Sequence, residues 1–390
     1  MKERVLGLIV AGGGCAPLAG LGVADDAALT PFAGKYRFID FALATLANSG
    51  VTSTYVVAER PASALRAHLA RRERRRSFLA GRPGMLGAAR GRAARLLRAL
   101  AGCRDLLRAR DVQAIVVLLA DHILQVDLRP LCDYHRDLAA DVTLAALPLS
   151  VGEPGGPSPR LPAALPCLGL AYTWTGDVVL RPAALPALLA AASPEEVSDD
   201  TAFVAPLAAG LRVAAYDVLE GPLPGRHPGR PAYWHEPATL EAYYDAQMQL
   251  CTPRPDLDLH DPAWPLTPAA SGLGPAKVVS DAAGRAGQAL NALLADGALV
   301  RGGVVLNTVV GYGVVVESGA VVEDSVLLDG CRIGWGARVR RAVVGAGAVV
   351  GDGEEIGYDA LPPPGATVLA SGLTIVPAVL PGALAAAVGH

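Results

Sequence analysis

Lysine is nearly missing from this chain. Of its 34 lysines and arginines only Lys2, Lys35 and Lys277 are lysine, so any chemistry that needs a mid-chain lysine is excluded. The six cysteines are scattered without a C-x-x-C pair, which argues against both a zinc knuckle and a disulfide scaffold. Aromatic residues make up 5% and do not interleave with the arginines, so the stacking platform of a single-strand nucleic-acid binder is lacking. A formal charge of -3 and a pI near 6.2 likewise exclude a polycation. No apolar run approaches the ~20 residues of a membrane-spanning helix; the longest candidate, Ala114 to Ala120, is strand-sized. The N-terminus passes from Lys2-Glu3-Arg4 through a short apolar run into glycines, without the longer apolar stretch and cleavage site of a signal peptide. These absences lead to the expectation of a soluble, cytoplasmic protein with neither membrane nor nucleic acid as partner.

What is present is apolar material for a large core: 390 residues, 52% hydrophobic and 18% charged, enough for two or three domains. Up to about residue 250, short β-branched runs alternate with longer Ala/Leu/Arg segments. Val5 to Val10, Thr54 to Val57, Ala114 to Ala120 and Val142 to Leu147 read as strands. Phe38 to Ser49, Ala62 to Leu69, Ala88 to Leu107 and Leu131 to Ala139 read as helices. Such alternation predicts an α/β domain with a mostly parallel sheet covered on both faces. Ligands of these sheets sit outside the carboxyl ends of the strands, which places Gly12 to Gly14 and Ala120-Asp121-His122 near one mouth.

The second half follows another period. Val309, Val315, Val321, Leu327, Ile333 and Val339 are six residues apart, and after a one-residue slip Val344, Val350 and Ile356 continue the series. Nine aliphatic hits in succession count against chance and predict a parallel β-helix whose flat sides stack aliphatics inward. Cys251 to Gly274, rich in Pro and Asp, reads as an extended linker. The expected division is 1–250 for the α/β domain, 251–295 for the linker, and 296–390 for the β-helix with its tail. None of the seven histidines falls in the coils, so the histidine general base of β-helix acyltransferases is not available there.

A strand, a glycine-rich loop and a following helix can bind phosphate through backbone N–H groups. Here the loop is Ala11-Gly12-Gly13-Gly14-Cys15-Ala16-Pro17-Leu18; by itself it fits a tight turn as well as a phosphate cradle. The surrounding text is more specific. Ala11-Gly12-Gly13, Pro31-Phe32-Ala33-Gly34-Lys35-Tyr36-Arg37-Phe38-Ile39-Asp40 and Asn48-Ser49-Gly50 resemble, in order, the N-terminus of ADP-glucose pyrophosphorylases. Ala120-Asp121-His122-Ile123 resembles that family's Gly-Asp-His-Ile segment, and Tyr233-Trp234-His235-Glu236-Pro237-Ala238-Thr239 its Trp-x-Asp-Val-Gly-Thr motif. Pro275 to Val279 and Asp324 to Asp359 resemble the linker and the hexapeptide coils. The resemblance spans nearly the whole chain.

It implies a Rossmann-like nucleotidyltransferase domain followed by a left-handed parallel β-helix, working as a homo-oligomer or with a paralogue. The implied reaction joins glucose-1-phosphate to ATP, giving ADP-glucose for glycogen or another α-glucan and releasing pyrophosphate. Magnesium and cationic side chains would neutralise the developing charge. By resemblance Asp121 is the metal carboxylate, and Glu236 stands where the family has the second metal-binding Asp. Ala11, Gly12, Gly13 and Gly91 would line the nucleotide, while Lys35 and Arg37 are candidate effector contacts.

The departures are as specific as the matches. The family's loop arginine is Pro17, the lysine of its next motif is Ala27, and the mid-domain sugar-phosphate lysine has no counterpart. The Gly-Thr-Ala-Asp segment survives only as Gly91-Arg92-Ala93-Ala94. Each lost donor to a transferring phosphate costs on the order of 100- to 1000-fold in rate. The reading favoured from sequence is therefore an impaired, regulatory subunit. An active sugar-phosphate nucleotidyltransferase with arginines in place of the lysines is the alternative, and a purely structural scaffold the third. The arginines crowding residues 71–98 are expected to form a solvated basic helix face, with an anion site as the competing explanation.

Overall fold

The computed structural model describes residues 5–13, 16–22, 26–58, 63–72, 91–108, 112–148, 172–191, 210–220, 223, 232–358 and 364–379. In the first half β1 is Val5–Ala11, β2 Pro31–Phe32, β3 Tyr36–Arg37, α1 Phe38–Asn48 and β4 Ser53–Ala58. There follow α2 Ser63–Ala70, α3 Arg92–Gly102, α4 Arg104–Arg108, β5 Ala114–Leu119, β6 Ile123–Gln125 and α5 Leu128–Asp137. The domain ends with β7 Val142–Pro148, β8 Tyr172–Leu180, α6 Leu185–Ala191, β9 Val213–Asp217, β10 Tyr233–His235 and α7 Leu240–Gln249.

Six strands form one sheet in the order β4-β1-β5-β8-β7-β9. Pairs β1–β4, β1–β5 and β7–β9 are parallel, whereas β8 runs antiparallel to both neighbours. Every residue of β1 and β5 is buried, because helices cover both faces. One face packs Leu6, Leu8, Ile115 and Val117 against Leu96, Leu97 and Leu100 of α3. The other packs Ile9, Val116 and Leu118 against Ile39, Leu43 and Leu46 of α1. Continuous apolar runs are what a two-sided burial demands.

The predicted helix over 88–107 is two helices, α3 and α4, broken at Cys103, and its first residues up to 90 lie outside the described part. His68 of α2 and Arg72, two residues past its end, reach back to the fully buried carboxylate of Asp40 on α1. His68 Nε2 lies 2.9 Å from Asp40 Oδ1, Arg72 forms an ion pair with the same oxygen, and the Arg37 amide donates to Oδ2 at 2.8 Å.

The second half is a parallel β-helix of three sheets, whose strands pair across successive coils. Val321 pairs with Arg338 and Arg338 with Glu355, seventeen residues on each time. The first described coil starts at Lys277–Val279, which pairs with Leu299–Arg301. A turn of seventeen residues requires one short side in each coil, so the slip read once between Val339 and Val344 recurs earlier. That shifts the phase. The inward residues are Val310, Val316 and Val322 before Leu327, Ile333, Val339, Val344, Val350 and Ile356. Val315 and Val321, expected to point inward, are only half-buried, because each opens a Val-Val pair whose second member takes the core position.

The two halves share a core. Phe32, Phe38 and Phe41 meet Tyr243 and Tyr244 of α7, and the cluster continues into Val326, Leu328, Val343 and Leu373 of the coils. Phe32 packs edge-on against both other rings, with centroids 6.1 and 5.7 Å away. Backbone and side-chain bonds stitch the seam: Tyr244 Oη donates to the Asp324 carbonyl and Tyr312 Oη to that of Lys35, both at 2.7 Å.

The corrected phase is testable. Ile333→Ala should lower unfolding free energy by ~2–5 kcal/mol, and Val315→Ala by ~0.5 kcal/mol or less. Urea denaturation of both variants reads the difference; equal losses would contradict the inward assignment.

Candidate active site

The site forms where β1 and β5 end together. Val10 pairs with Leu119, and the Ala120 amide still donates to the Val10 carbonyl at 3.0 Å. One step further the strands leave Gly12 and Asp121 side by side. The third wall comes from β10, which pairs antiparallel with β6 so that His235 faces Ile123. That register carries Glu236 next to His122. Hence Ala11, Gly12, Gly13, Asp121 and Glu236, far apart in sequence, converge at one mouth.

Helix α3 enters the same mouth. Gly91, with φ +90°, is its N-cap, and its carbonyl accepts from the Arg95 amide at 3.4 Å. Arg92 and Arg95, one turn apart on α3, are both only 7% exposed. Arg92 forms an ion pair with Glu236 and also donates to the Trp174 carbonyl at 3.3 Å. Arg95 forms an ion pair with Asp121 and donates to the Gly12 carbonyl at 3.1 Å. Two glycines make room for these arginines. A Cβ on Gly13 (φ +81°) would stand 2.5 Å from the Arg95 guanidinium, and one on Gly176 (φ +99°) 3.0 Å from Arg92 Cδ. The expectation of a solvated face therefore fails for Arg92 and Arg95, as it does for Arg72 on Asp40. Arg71 is exposed, whereas Arg74, Arg75, Arg76, Arg82 and Arg90 lie outside the described residues.

Behind Asp121 stands a second layer. His122 bridges two carboxylates: Nδ1 lies 2.9 Å from Asp121 Oδ1 and Nε2 3.0 Å from Asp177 Oδ2. Asp177 is fixed in turn by the Leu119 amide at 2.9 Å and the Thr175 hydroxyl at 3.3 Å. Burial alone would strip the proton from His122, but Asp177 and Asp121 outweigh it and push the imidazole up to about 10. Burial would likewise raise Asp121, yet Arg95, His122 and Arg92 hold its carboxyl well below the usual range. The described network thus joins Asp121, Asp177 and Glu236 to Arg92, Arg95 and His122 by direct contacts.

Of the remaining sequence candidates, Ala27 is buried and its amide donates to the Gly13 carbonyl at 3.2 Å, so an apolar methyl and a backbone bond occupy that wall. Gly14 and Cys15 lie outside the described residues. Lys35 and Arg37 are not at this mouth. They sit at the seam between the domains, where Arg37 pairs with Asp329 and lies 5.7 Å from the Tyr312 ring centroid. Sequence reasoning missed Arg92, Arg95 and Asp177 as site residues. The spacing of two arginines one helical turn apart, one inside the degenerate Gly91-Arg92-Ala93-Ala94 segment and one just after it, was the signal available for the first two.

The donors present do not fit a divalent cation. Asp121 and Glu236 each already carry a charge-assisted bond from a guanidinium, and among the described residues no group of three or more His, Cys, Asp or Glu is placed to hold an ion.

A twisted, mostly parallel sheet with this mouth, joined to a hexapeptide β-helix, defines a sugar-nucleotidyltransferase architecture. The family model described as nucleotidyl transferase matches residues 6–156, and that of the GlmU-like C-terminal hexapeptide matches residues 274–376. The chain is 32% identical to a glucose-1-phosphate adenylyltransferase of Deinococcus deserti, over 97% of this chain and 99% of that one. It is 33% identical to the enzyme of that name from Deinococcus radiodurans over the same shares, and 34% identical to that from Thermus thermophilus over 77% and 80%. The chain belongs to the glucose-1-phosphate adenylyltransferase family.

The buried imidazolium gives a pH signature. With its value raised from the ordinary 6.5 to about 10, His122 binds a proton in the folded state that the unfolded chain releases. Its stabilisation is complete below pH 6.5 and fades as pH rises towards 10. Unfolding free energy measured from pH 6.5 to 9 should fall with pH, and His122→Asn should flatten that slope. An unchanged slope would show that His122 is neutral when folded.

Proposed function

We propose that this chain is a catalytically impaired member of its family, acting as a regulatory or non-catalytic subunit beside a catalytic paralogue. In that setting the reaction served is ATP and glucose-1-phosphate to ADP-glucose and pyrophosphate, in glycogen or related α-glucan synthesis. One observation carries the reading: both acidic side chains at the mouth are closed by arginines of the same chain, and Arg95 occupies the space over Gly13 where a nucleotide phosphate would approach. Pro17 and Ala27 at the family's Arg and Lys positions agree with it. Ala11, Gly12, Gly13 and Gly91 would then line a remnant nucleotide pocket. Lys35 and Arg37 would serve the seam with the β-helix rather than an effector.

An active enzyme using arginines for lysines is the second reading, favoured by the retention of Asp121 and Glu236 together at one mouth. Pyrophosphate release separates the two. The purified protein with ATP, magnesium and glucose-1-phosphate should show no turnover above background, yet change the rate or effector response of a catalytic homologue from the same source. Turnover by the chain alone, abolished in Asp121→Asn, would establish the second reading.

A further inference from the structure

We infer that the guanidinium groups of Arg92 and Arg95 are the resident cations of this site: they occupy the place of a divalent metal, and the site takes up none while they are there. The inference rests on reading Asp121 and Glu236 as the positions of the family's metal carboxylates.

A divalent ion between two carboxylates does two things. It cancels their repulsion, and it presents positive charge to a phosphate. Both are already supplied from α3. Arg92 meets Glu236 and Arg95 meets Asp121, and a guanidinium keeps its charge at every physiological pH. The helix spacing matters here. Residues three apart project from one face, so a single turn of α3 delivers both cations to two carboxylates that come from different strands.

Charge balance completes the case. The two carboxylates at the mouth, Asp121 and Glu236, are matched one to one by Arg95 and Arg92. An added divalent ion would have to share these two carboxylates with the guanidiniums already on them, or displace a guanidinium from its other anchor. Each arginine has such an anchor: Arg95 lies over Gly13 and is tied to the Gly12 carbonyl, and Arg92 passes beside Gly176 to the Trp174 carbonyl. An adventitious surface pair would be exposed and mobile; these are buried and anchored at a second point each.

The converse follows directly. Removing both guanidiniums strips Glu236 of its ion pair and leaves Asp121 with only its His122 contact, which uncovers the two carboxylates to an added metal. Full-length protein titrated with Mn2+ and followed by the free-ion EPR signal tests this. Wild type should leave the signal of free Mn2+ undiminished, and its thermal midpoint should be the same with Mn2+ and with EDTA. Arg92→Ala/Arg95→Ala should bind one Mn2+ per chain, with a midpoint raised by Mn2+, and adding Asp121→Asn should abolish that site. Should the double variant not fold, Arg95→Gln, which frees Asp121 alone, should show the same Mn2+-dependent rise in weaker form.

Stoichiometric Mn2+ uptake by wild type would overturn the inference, as would a folded arginine variant that binds none. Failure here is distinguishable from failure of the proposed function. Turnover by the chain in EDTA would end the non-catalytic reading and leave the arginines as the resident cations. Mn2+ uptake without turnover would do the reverse.

Discussion

Neutralising carboxylates at the joined ends of β1 and β5 is the constraint around which the rest of this molecule is arranged. Asp121 cannot be moved, because Ala120 is still bonded to Val10 and the sheet continues up to that point. Glu236 cannot be moved either, because β10 is in register with β6. Two negative charges are thus fixed in a poorly solvated mouth. Leaving such a charge buried and unpaired costs about 3–5 kcal/mol, a large share of a domain's net stability. The cation that answers them has to come from somewhere. In this chain it comes from α3, and the packing of α3 on β1 and β5 through Leu96, Leu97 and Leu100 holds Arg92 and Arg95 to the task.

Once the arginines are in place, several departures from the family pattern become one departure. Arg95 needs a bare backbone under it, which Gly13 provides, and Arg92 needs a bare backbone beside it, which Gly176 provides. Ala27 puts an apolar methyl on the wall beside Gly13, with its amide donating to the Gly13 carbonyl. His122 stays protonated because it is pinched between Asp121 and Asp177, and its proton is the third positive charge of the network. A scatter of unrelated losses would have left some charge uncompensated. Asp121 and Glu236 are each paired within the chain, and Asp177 is held by His122, Leu119 and Thr175.

Much of this was legible in the sequence, and what was not has physical reasons. The two architectures were, since apolar runs flanked by helical segments and a six-residue aliphatic spacing have few other solutions. The convergence of Gly12, Asp121 and Glu236 followed from strand ends and a motif in the right order. The phase of the coils was misread because Val-Val pairs such as Val315-Val316 present two aliphatics where only one faces inward, and period six alone cannot choose between them. Arg92 and Arg95 were misread because Arg-rich helices are ordinarily solvated; only the fold shows that this particular turn points at two carboxylates. Asp177 lies in β8, a strand whose antiparallel course no local signal announced.

The glycine loop is restrained from the far side as well. The short 3-10 segment Ala16–Leu21 that follows it is bonded to the β-helix, with the Leu21 carbonyl accepting from Ala346 at 2.9 Å and that of Gly20 from Ala378 at 3.0 Å. The Gly13 carbonyl is meanwhile taken by Ala27, and that of Gly12 by Arg95. Loops that close over ligands are drawn from weakly restrained backbone, and this one is tied at its start to α3 and at its end to the coils. On its two sides, bonds therefore reach α3 and the β-helix. Through Phe32, Phe41 and Tyr243 the shared core continues that path across the seam. The mouth is thus bonded on both sides: Arg95 holds the Gly12 carbonyl, and Ala346 and Ala378 hold those of Leu21 and Gly20.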